Sequence, residues 1–200
     1  MKVGLVGCGY WGKKILSKLE SLSTNKILWT YTSKDDWKGG EDVDWVFIAT
    51  PNDVHYEQVK YFISERNVNV FCEKPLTPTY EQSKELFDLA DKHNVKLYVD
   101  NVFNYRDERG LIIQNMVELS KRNIKVKWTG PSINHIYDYL YHDLYLLYPV
   151  LGEPKKVDWP VIDNVTFSYS KSDNKSHFID DIDFTHKPNS NDAVLEMIVC

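Results

Sequence analysis

The sequence lacks most of what would send a chain into a membrane, onto nucleic acid or out of the cell. No apolar run approaches the roughly 20 residues that a bilayer-spanning helix needs. The amino terminus, Met1-Lys2-Val3-Gly4-Leu5-Val6, meets three glycines by position 9, so no signal-peptide core forms. Positive charge is also short. Lys and Arg number 24 against 29 Asp and Glu, a net charge of −5, and the pI is near 5.7. That balance opposes a general affinity for phosphate backbones or anionic lipids. Cysteine is scarce: Cys8, Cys72 and Cys200 lie far apart with no ligand-like spacing. They read as free thiols of a reducing compartment rather than as a metal site or a disulfide framework. The expectation is a cytoplasmic protein with no membrane, nucleic-acid or metal partner.

What is present is an ordinary folding composition, 42% hydrophobic and 26% charged. Apolar runs predict strands over Lys2–Val6, Lys26–Tyr31, Asp44–Ala49, Val68–Cys72 and Val95–Val99. Helices fall between them. One carries Ile15, Leu16, Leu19 and Leu22, one runs from about Val54 to Glu65, and one follows Thr77-Pro78, read as an N-cap with proline at the first helical position. Alternating strands and helices on short loops predict an α/β fold with a doubly wound parallel sheet. The pattern changes after Asp100. Helices are predicted over Asp107–Ser120 and Tyr137–Val150. Strands are predicted at Ile124–Trp128, Val157–Tyr169, His177–Phe184 and Ala193–Val199. Two domains follow: residues 1–103, which hold the parallel sheet, and 104–200, of α+β character.

The first strand feeds Gly7-Cys8-Gly9-Tyr10-Trp11-Gly12 and then a helix. In this G-x-G-x-x-G arrangement the first glycine permits a tight turn and the second lets backbone approach a pyrophosphate. The third lets helix and strand pack closely, and the helix N-terminus faces the phosphates. Tyr10 and Trp11 lie within this candidate cofactor site. A turn that merely uses glycines is the plain alternative. Cofactor choice is read at the end of the second strand, where an acidic residue would bond the ribose of NAD. Thr32-Ser33-Lys34 stands there instead, with Asp35 and Asp36 beyond. Ser33 and Lys34 suit a 2′-phosphate, which favours NADP with NAD as the alternative; a solvated Lys34 is the plain reading.

Two further segments sit at predicted carboxyl ends of strands, Ala49-Thr50-Pro51-Asn52-Asp53-Val54-His55 and Glu73-Lys74-Pro75-Leu76. With the glycine turn, this trio resembles the glucose–fructose oxidoreductase / inositol dehydrogenase (Gfo/Idh/MocA) family over about residues 1–152. The resemblance implies a dinucleotide-binding domain joined to a mostly antiparallel sheet domain, acting on sugars or cyclitols. It makes Lys74 the active-site lysine, close to the nicotinamide and the reacting hydroxyl, and Thr50, Pro51, Asn52 and Glu73 cofactor-side residues. His55 is a further cofactor candidate or an ordinary first-turn helix residue. A lysine reaching water is the plain reading of Lys74.

Asp138 and His142 are four apart, so on a helix they share a face. A carboxylate there fixes the imidazole tautomer and prepares it for proton transfer. The family places an Asp-x-x-x-His pair on such a helix, with the histidine as acid–base; an incidental surface pair is the alternative. Arg106 is a weaker substrate candidate. The chain departs from the family between the second and third strands, which only twelve residues, Thr32 to Val43, separate. A helix and an edge strand normally stand there, so a bare loop is expected and the adenine side of the site looks depleted. The chain also stops at Cys200 after an apolar strand, which suggests homo-oligomerisation through the second-domain sheet, or an incomplete chain. The resulting expectation is an NAD(P)-dependent oxidoreductase interconverting a secondary alcohol and ketone on a carbohydrate-like small molecule. Its rivals are an inactive nucleotide-binding relative, acting as a sensor or assembly subunit, and a dinucleotide-free scaffold.

Overall fold

The computed structural model describes residues 1–105, 110, 113, 114, 124–132, 145, 148, 156–161, 164–168, 179–188 and 194–199. The chain divides into two compact units, Met1–Asp100 and Asn101–Cys200.

The first unit is a five-stranded parallel sheet. Its strands are β1 (Lys2–Val6), β2 (Lys26–Tyr31), β3 (Trp45–Ile48), β4 (Asn69–Cys72) and β5 (Leu97–Val99), in the order β2-β1-β3-β4-β5. Helix α1 (Tyr10–Ser21) joins β1 to β2, α2 (His55–Ser64) joins β3 to β4, and α3 (Tyr80–His93) joins β4 to β5. Strand order runs outward in both directions from β1. Right-handed crossovers therefore put α1 on one face and α2 and α3 on the other. This is the doubly wound fold read from the sequence. The stretch between β2 and β3 holds no described helix or strand.

Burial alternates along the inner strands. Val46, Ile48, Val70 and Cys72 are buried beneath Val59, Phe62 and Ile63 of α2 and Leu86 and Ala90 of α3. The opposite face carries a stacked aromatic row, Phe47–Phe71 (4.8 Å) and Phe71–Tyr98 (5.2 Å), whose members are half-buried. The third strand is thus not buried equally on both faces, because the long helices α2 and α3 cover one side of it. Helix α2 offers a continuous apolar stripe, with His55, Gln58, Val59, Phe62 and Ile63 all buried at helical spacing. On α1, Leu19 is buried but Leu22 is 56% exposed, since it lies past the helix end as its C-cap.

The start of α3 differs from the sequence reading. Its N-cap is Thr79, whose hydroxyl accepts from the Gln82 N–H at 3.3 Å. Thr77 instead donates to Thr79 O (2.7 Å) and meets the Ser83 hydroxyl at 2.5 Å. Proline 78 therefore precedes the cap rather than following it. At the other end Asn94 takes a left-handed conformation (φ 55°) and its N–H closes onto Ala90 and Asp91.

The second unit contains β6 (Ile124–Ser132), β7 (Lys156–Val161), β8 (Asn164–Ser168), β9 (Ile179–Pro188) and β10 (Val194–Val199), in the order β10-β6-β9-β8-β7. All pairings are antiparallel except β6 with β9, so the sheet is mostly antiparallel. The single run expected at Val157–Tyr169 is two strands, β7 and β8, paired as a hairpin. Strand β10 is an edge of this sheet among the described strands. No helix among the described residues is long and apolar enough to cross a membrane.

Candidate functional site

The first unit's parallel strands end together. Three backbone bonds carry the ladder one residue further: Ala49 N–H to Val6 O (2.8 Å), Glu73 N–H to Ile48 O (2.9 Å) and Asp100 N–H to Cys72 O (2.8 Å). In open parallel sheets ligands bind outside this edge, where strand order reverses; here that is between β1 and β3. A cavity of about 610 Å³ lies there. Its walls are Gly7-Cys8-Gly9 after β1, Thr32, Ser33 and Trp37 after β2, and Thr50, Pro51 and Val54 after β3.

The three motif glycines have separate tasks. Gly7 has φ +97°, and a Cβ there would sit 2.5 Å from the Ala49 carbonyl. At Gly12 a Cβ would lie 1.7 Å from Gly7 O, so the helix start touches the turn backbone. At Gly9 a Cβ would meet nothing within 4 Å; this glycine faces open space at the cavity. Gly9 is also the N-cap of α1, with no side-chain cap and no acidic residue in the first turn. The first-turn N–H groups and the positive end of the helix are therefore available to an anion.

Tyr10 (71% exposed) and Trp11 (57%) stand on that first turn with the Lys14 ammonium over both rings, 4.3 and 4.4 Å from their centroids. Tyr10 lines an adjoining cleft with Lys13, Lys14 and Lys18 rather than the cavity itself. Ser33 lines the cavity; Lys34 is exposed and outside its lining. Beside Lys34, Asp35 accepts from the Thr32 hydroxyl (2.7 Å) and N–H (2.6 Å). These bonds, helped by the Lys34 charge, hold its carboxyl below the ordinary value. An ionised carboxylate thus flanks the one cation proposed to meet a 2′-phosphate.

Thr50 donates to Gln58 Oε1 at 2.6 Å, and Pro51 lines the cavity. Asn52 is exposed at the start of a short 3-10 turn, Asn52–Val54. His55 is 1% exposed, with its ring nitrogens 2.9 Å from the carbonyls of Pro75 and Thr50. It ties the Thr50-Pro51 turn to the segment after β4. That segment places Glu73 and Lys74 at the sheet edge, followed by a cis Lys74–Pro75 bond. Glu73 shares a hydrogen bond with Asp100 at the end of β5. Burial and then the Asp100 charge push the Glu73 carboxyl up, while Lys74 opposes the rise. Burial likewise raises Asp100, against the Glu73 hydrogen bond and the Lys74 charge. Cys8 lines the cavity; Cys72 is buried, which pushes its thiol up. No group of three or more metal-ligating side chains occurs among the described residues.

Asp138, His142, Arg106 and Cys200 lie outside the described residues. Trp37, Gln58 and Asp100 enter the site from positions that the sequence reading did not single out. Asp100 had an available signal, since it ends a strand beside the one ending at Glu73. Trp37 had none in its own neighbourhood, because its partners lie on α2.

Residues 18–101 match the model of the Gfo/Idh/MocA family, described as oxidoreductase family, NAD-binding Rossmann fold. Most of the first unit is thus similar to the Gfo/Idh/MocA oxidoreductase family. The matched stretch begins after the glycine turn and ends before Asp138 and His142. An uncharacterized oxidoreductase of Streptococcus pneumoniae is 28% identical over 122 residues, covering 52% of this chain and 33% of that protein. Levoglucosan dehydrogenase of Pseudarthrobacter phenanthrenivorans is 38% identical over 77 residues, covering 37% of this chain and 19% of its own. The chain therefore matches a third or less of the length of these two relatives. GenD2 from gentamicin A biosynthesis, solved in complex with NAD, superposes with a TM-score of 0.73 at 18% identity, covering 100% of this chain and 70% of that one. That likeness is one of fold.

Proposed function

We propose that this chain is an NAD(P)-dependent oxidoreductase interconverting a secondary alcohol and a ketone on a sugar, sugar derivative or cyclitol. The observation that carries the reading is the cavity at the reversal of strand order, with Gly9 facing open space and the uncapped start of α1 beside it. Those features fit a dinucleotide. The pyrophosphate would be held by the backbone of Gly7 to Gly12, and the rest by Ser33, Thr50 and Pro51. Bound nicotinamide supplies a hydride acceptor or donor.

The chain's own residues would do the rest. Lys74 stands at the sheet edge next to Glu73 and Asp100, and its cation steadies developing alkoxide charge. His142 takes or returns the hydroxyl proton, with Asp138 holding its tautomer. Arg106 contacts substrate. The carbohydrate class rests on the levoglucosan dehydrogenase relative. Ser33 and Lys34 favour a 2′-phosphate on the ribose, and the ionised Asp35 beside Lys34 opposes one.

The decisive experiment compares wild type with Lys74→Ala and His142→Ala over a panel of sugars and cyclitols, alongside NADH and NADPH titrations. Both variants are expected to bind cofactor and lose turnover by a factor of about 10² or more. Full turnover in either one overturns the mechanism. A second reading, a nucleotide-binding relative without catalysis, is favoured by the twelve-residue connection that replaces an edge strand and helix. It predicts tight cofactor binding with no turnover on any panel member.

A further inference from the structure

The twelve-residue connection from β2 to β3 lies over a cluster of aromatic rings on the α2 side of the sheet. Trp29 of β2 lies over Gly4 of β1, where a Cβ would come within 2.1 Å of the indole. Trp29 stacks on Tyr31 (4.9 Å) and on Phe62 of α2 (6.1 Å). The loop then folds across them. Gly40, at φ +96°, brings its backbone against the Trp29 and Tyr31 side chains. Trp37 meets Tyr61 edge-on at 5.3 Å and Phe62 at 5.7 Å.

Side chains from outside the loop fix it in place. Arg66 donates to the carbonyls of Lys38 (3.3 Å), Gly39 (3.0 Å) and Gly40 (3.0 Å). The Tyr61 hydroxyl donates to Lys38 O at 2.6 Å, and Trp29 Nε1 to Glu41 O at 2.9 Å. At the far end Asp44 N–H donates to Lys2 O (2.9 Å), and the Asp44 carboxylate accepts from Lys2 N–H (2.7 Å).

We propose that Trp37 is the adenine platform of the cofactor site, a flat indole that the shortened connection sets in place of the lost edge elements. The proposal deepens the dinucleotide reading and rests on it. Trp37 is the single aromatic residue among the described residues lining the cavity. Its neighbours there are Thr32 and Ser33 at the β2 tip and Thr50, Pro51 and Val54 across the gap. No lysine or arginine among the described residues lines this cavity, so the outer wall suits a neutral flat ring better than a phosphate. Every base presents a π-face to an aromatic side chain. Because Arg66, Tyr61 and Trp29 already order the loop, little ordering entropy is lost when a ligand stacks.

The test measures binding of NADH, ADP-ribose and reduced nicotinamide mononucleotide, which lacks the adenosine half, to the full chain. Trp37→Leu keeps apolar bulk against Tyr61 and Phe62 but removes the π-face; Trp37→Phe restores it. Trp37→Leu is expected to weaken NADH and ADP-ribose by about ten-fold or more, with the mononucleotide unchanged and Trp37→Phe recovering most of the loss. Arg66→Ala should weaken ADP-ribose in the wild-type background but not on top of Trp37→Leu. Equal or tighter ADP-ribose binding by Trp37→Leu overturns the proposal, tighter binding meaning that the indole fills the adenine space instead. A wild-type protein that binds none of the three overturns the dinucleotide reading itself.

Discussion

The turn after β1 and the connection after β2 face each other across one cavity, and they are built by opposite means. The glycine turn is shaped by backbone alone. Gly7 tucks against Ala49, Gly12 against Gly7 O, and the Gly7 N–H donates to Tyr31 O at 2.8 Å. The connection from Thr32 to Val43 has little regular structure of its own, and donors on β2, on α2 and just past α2 at Arg66 hold it. One wall is stiff because side chains are missing, the other because distant side chains arrive. Damage should therefore follow different rules on the two sides.

The largest expected effect is on the glycine side. A Cβ at Gly12 would sit 1.7 Å from a main-chain oxygen, and neither atom belongs to a side chain that can swing away. Gly12→Ala should cost about 3 kcal/mol or more and abolish cofactor binding, read by denaturant unfolding and NADH titration. Gly9→Ala should leave the melting curve near wild type, since the added methyl meets nothing within 4 Å. Its penalty should appear in NADH affinity alone. Equal destabilisation by the two substitutions would remove the division of labour within the motif.

On the side-chain wall the expected losses are smaller. Arg66→Ala removes three donations to carbonyls, but water can replace part of each, so about 1–2 kcal/mol is expected. The Arg66–Asp42 ion pair adds little. It spans 3.4 Å with the Asp42 side chain 102% exposed, and exposed pairs contribute about 0–1 kcal/mol. Asp42→Asn should therefore melt like wild type, and Arg66→Lys should recover little, because an ammonium cannot reproduce the guanidinium fork. A melting loss in Asp42→Asn as large as in Arg66→Ala would mean that the ion pair, not the carbonyl clamp, holds the loop.

The same contrast explains what could be read in advance. The five parallel strands, the glycine turn and the segments at Thr50 and Glu73 were legible because each signal occupies a few consecutive residues. The short gap after Tyr31 was also legible as a lost strand and helix. What replaced them was not. Nothing near Trp37 announces Tyr61, Phe62 and Arg66 as its supports, which lie 24 to 29 residues further on. The cap of α3 was misplaced by two residues for a related reason: Thr77 and Thr79 offer the same hydroxyl on either side of Pro78, and the Ser83 contact decides between them. Asp138 and His142, read from helical spacing, stand as sequence expectations.

The smallest expected effect concerns the third segment of the edge, where Glu73 and Asp100 share a hydrogen bond near Lys74. Burial and the Asp100 charge hold the Glu73 carboxyl above its ordinary value of 4.5, and burial holds Asp100 above 3.8. An acid whose folded value is raised favours folding while it is protonated in both states. That contribution is complete below the ordinary carboxylate range and is lost as pH rises through the raised folded values. The exposed carboxylates Asp35 and Glu85 act in reverse, held low by Thr32 and by Lys60 with Tyr56, so the net wild-type slope mixes both signs. The difference between wild type and Glu73→Gln isolates the pair, because glutamine is neutral at every pH and can still donate to Asp100. Denaturant unfolding at several pH values from 3 upward should find Glu73→Gln gaining stability relative to wild type as pH rises past 4.5. Parallel curves would mean that water reaches the two carboxyls freely, and that this segment, unlike the loop held by Arg66, is not fixed by its side chains.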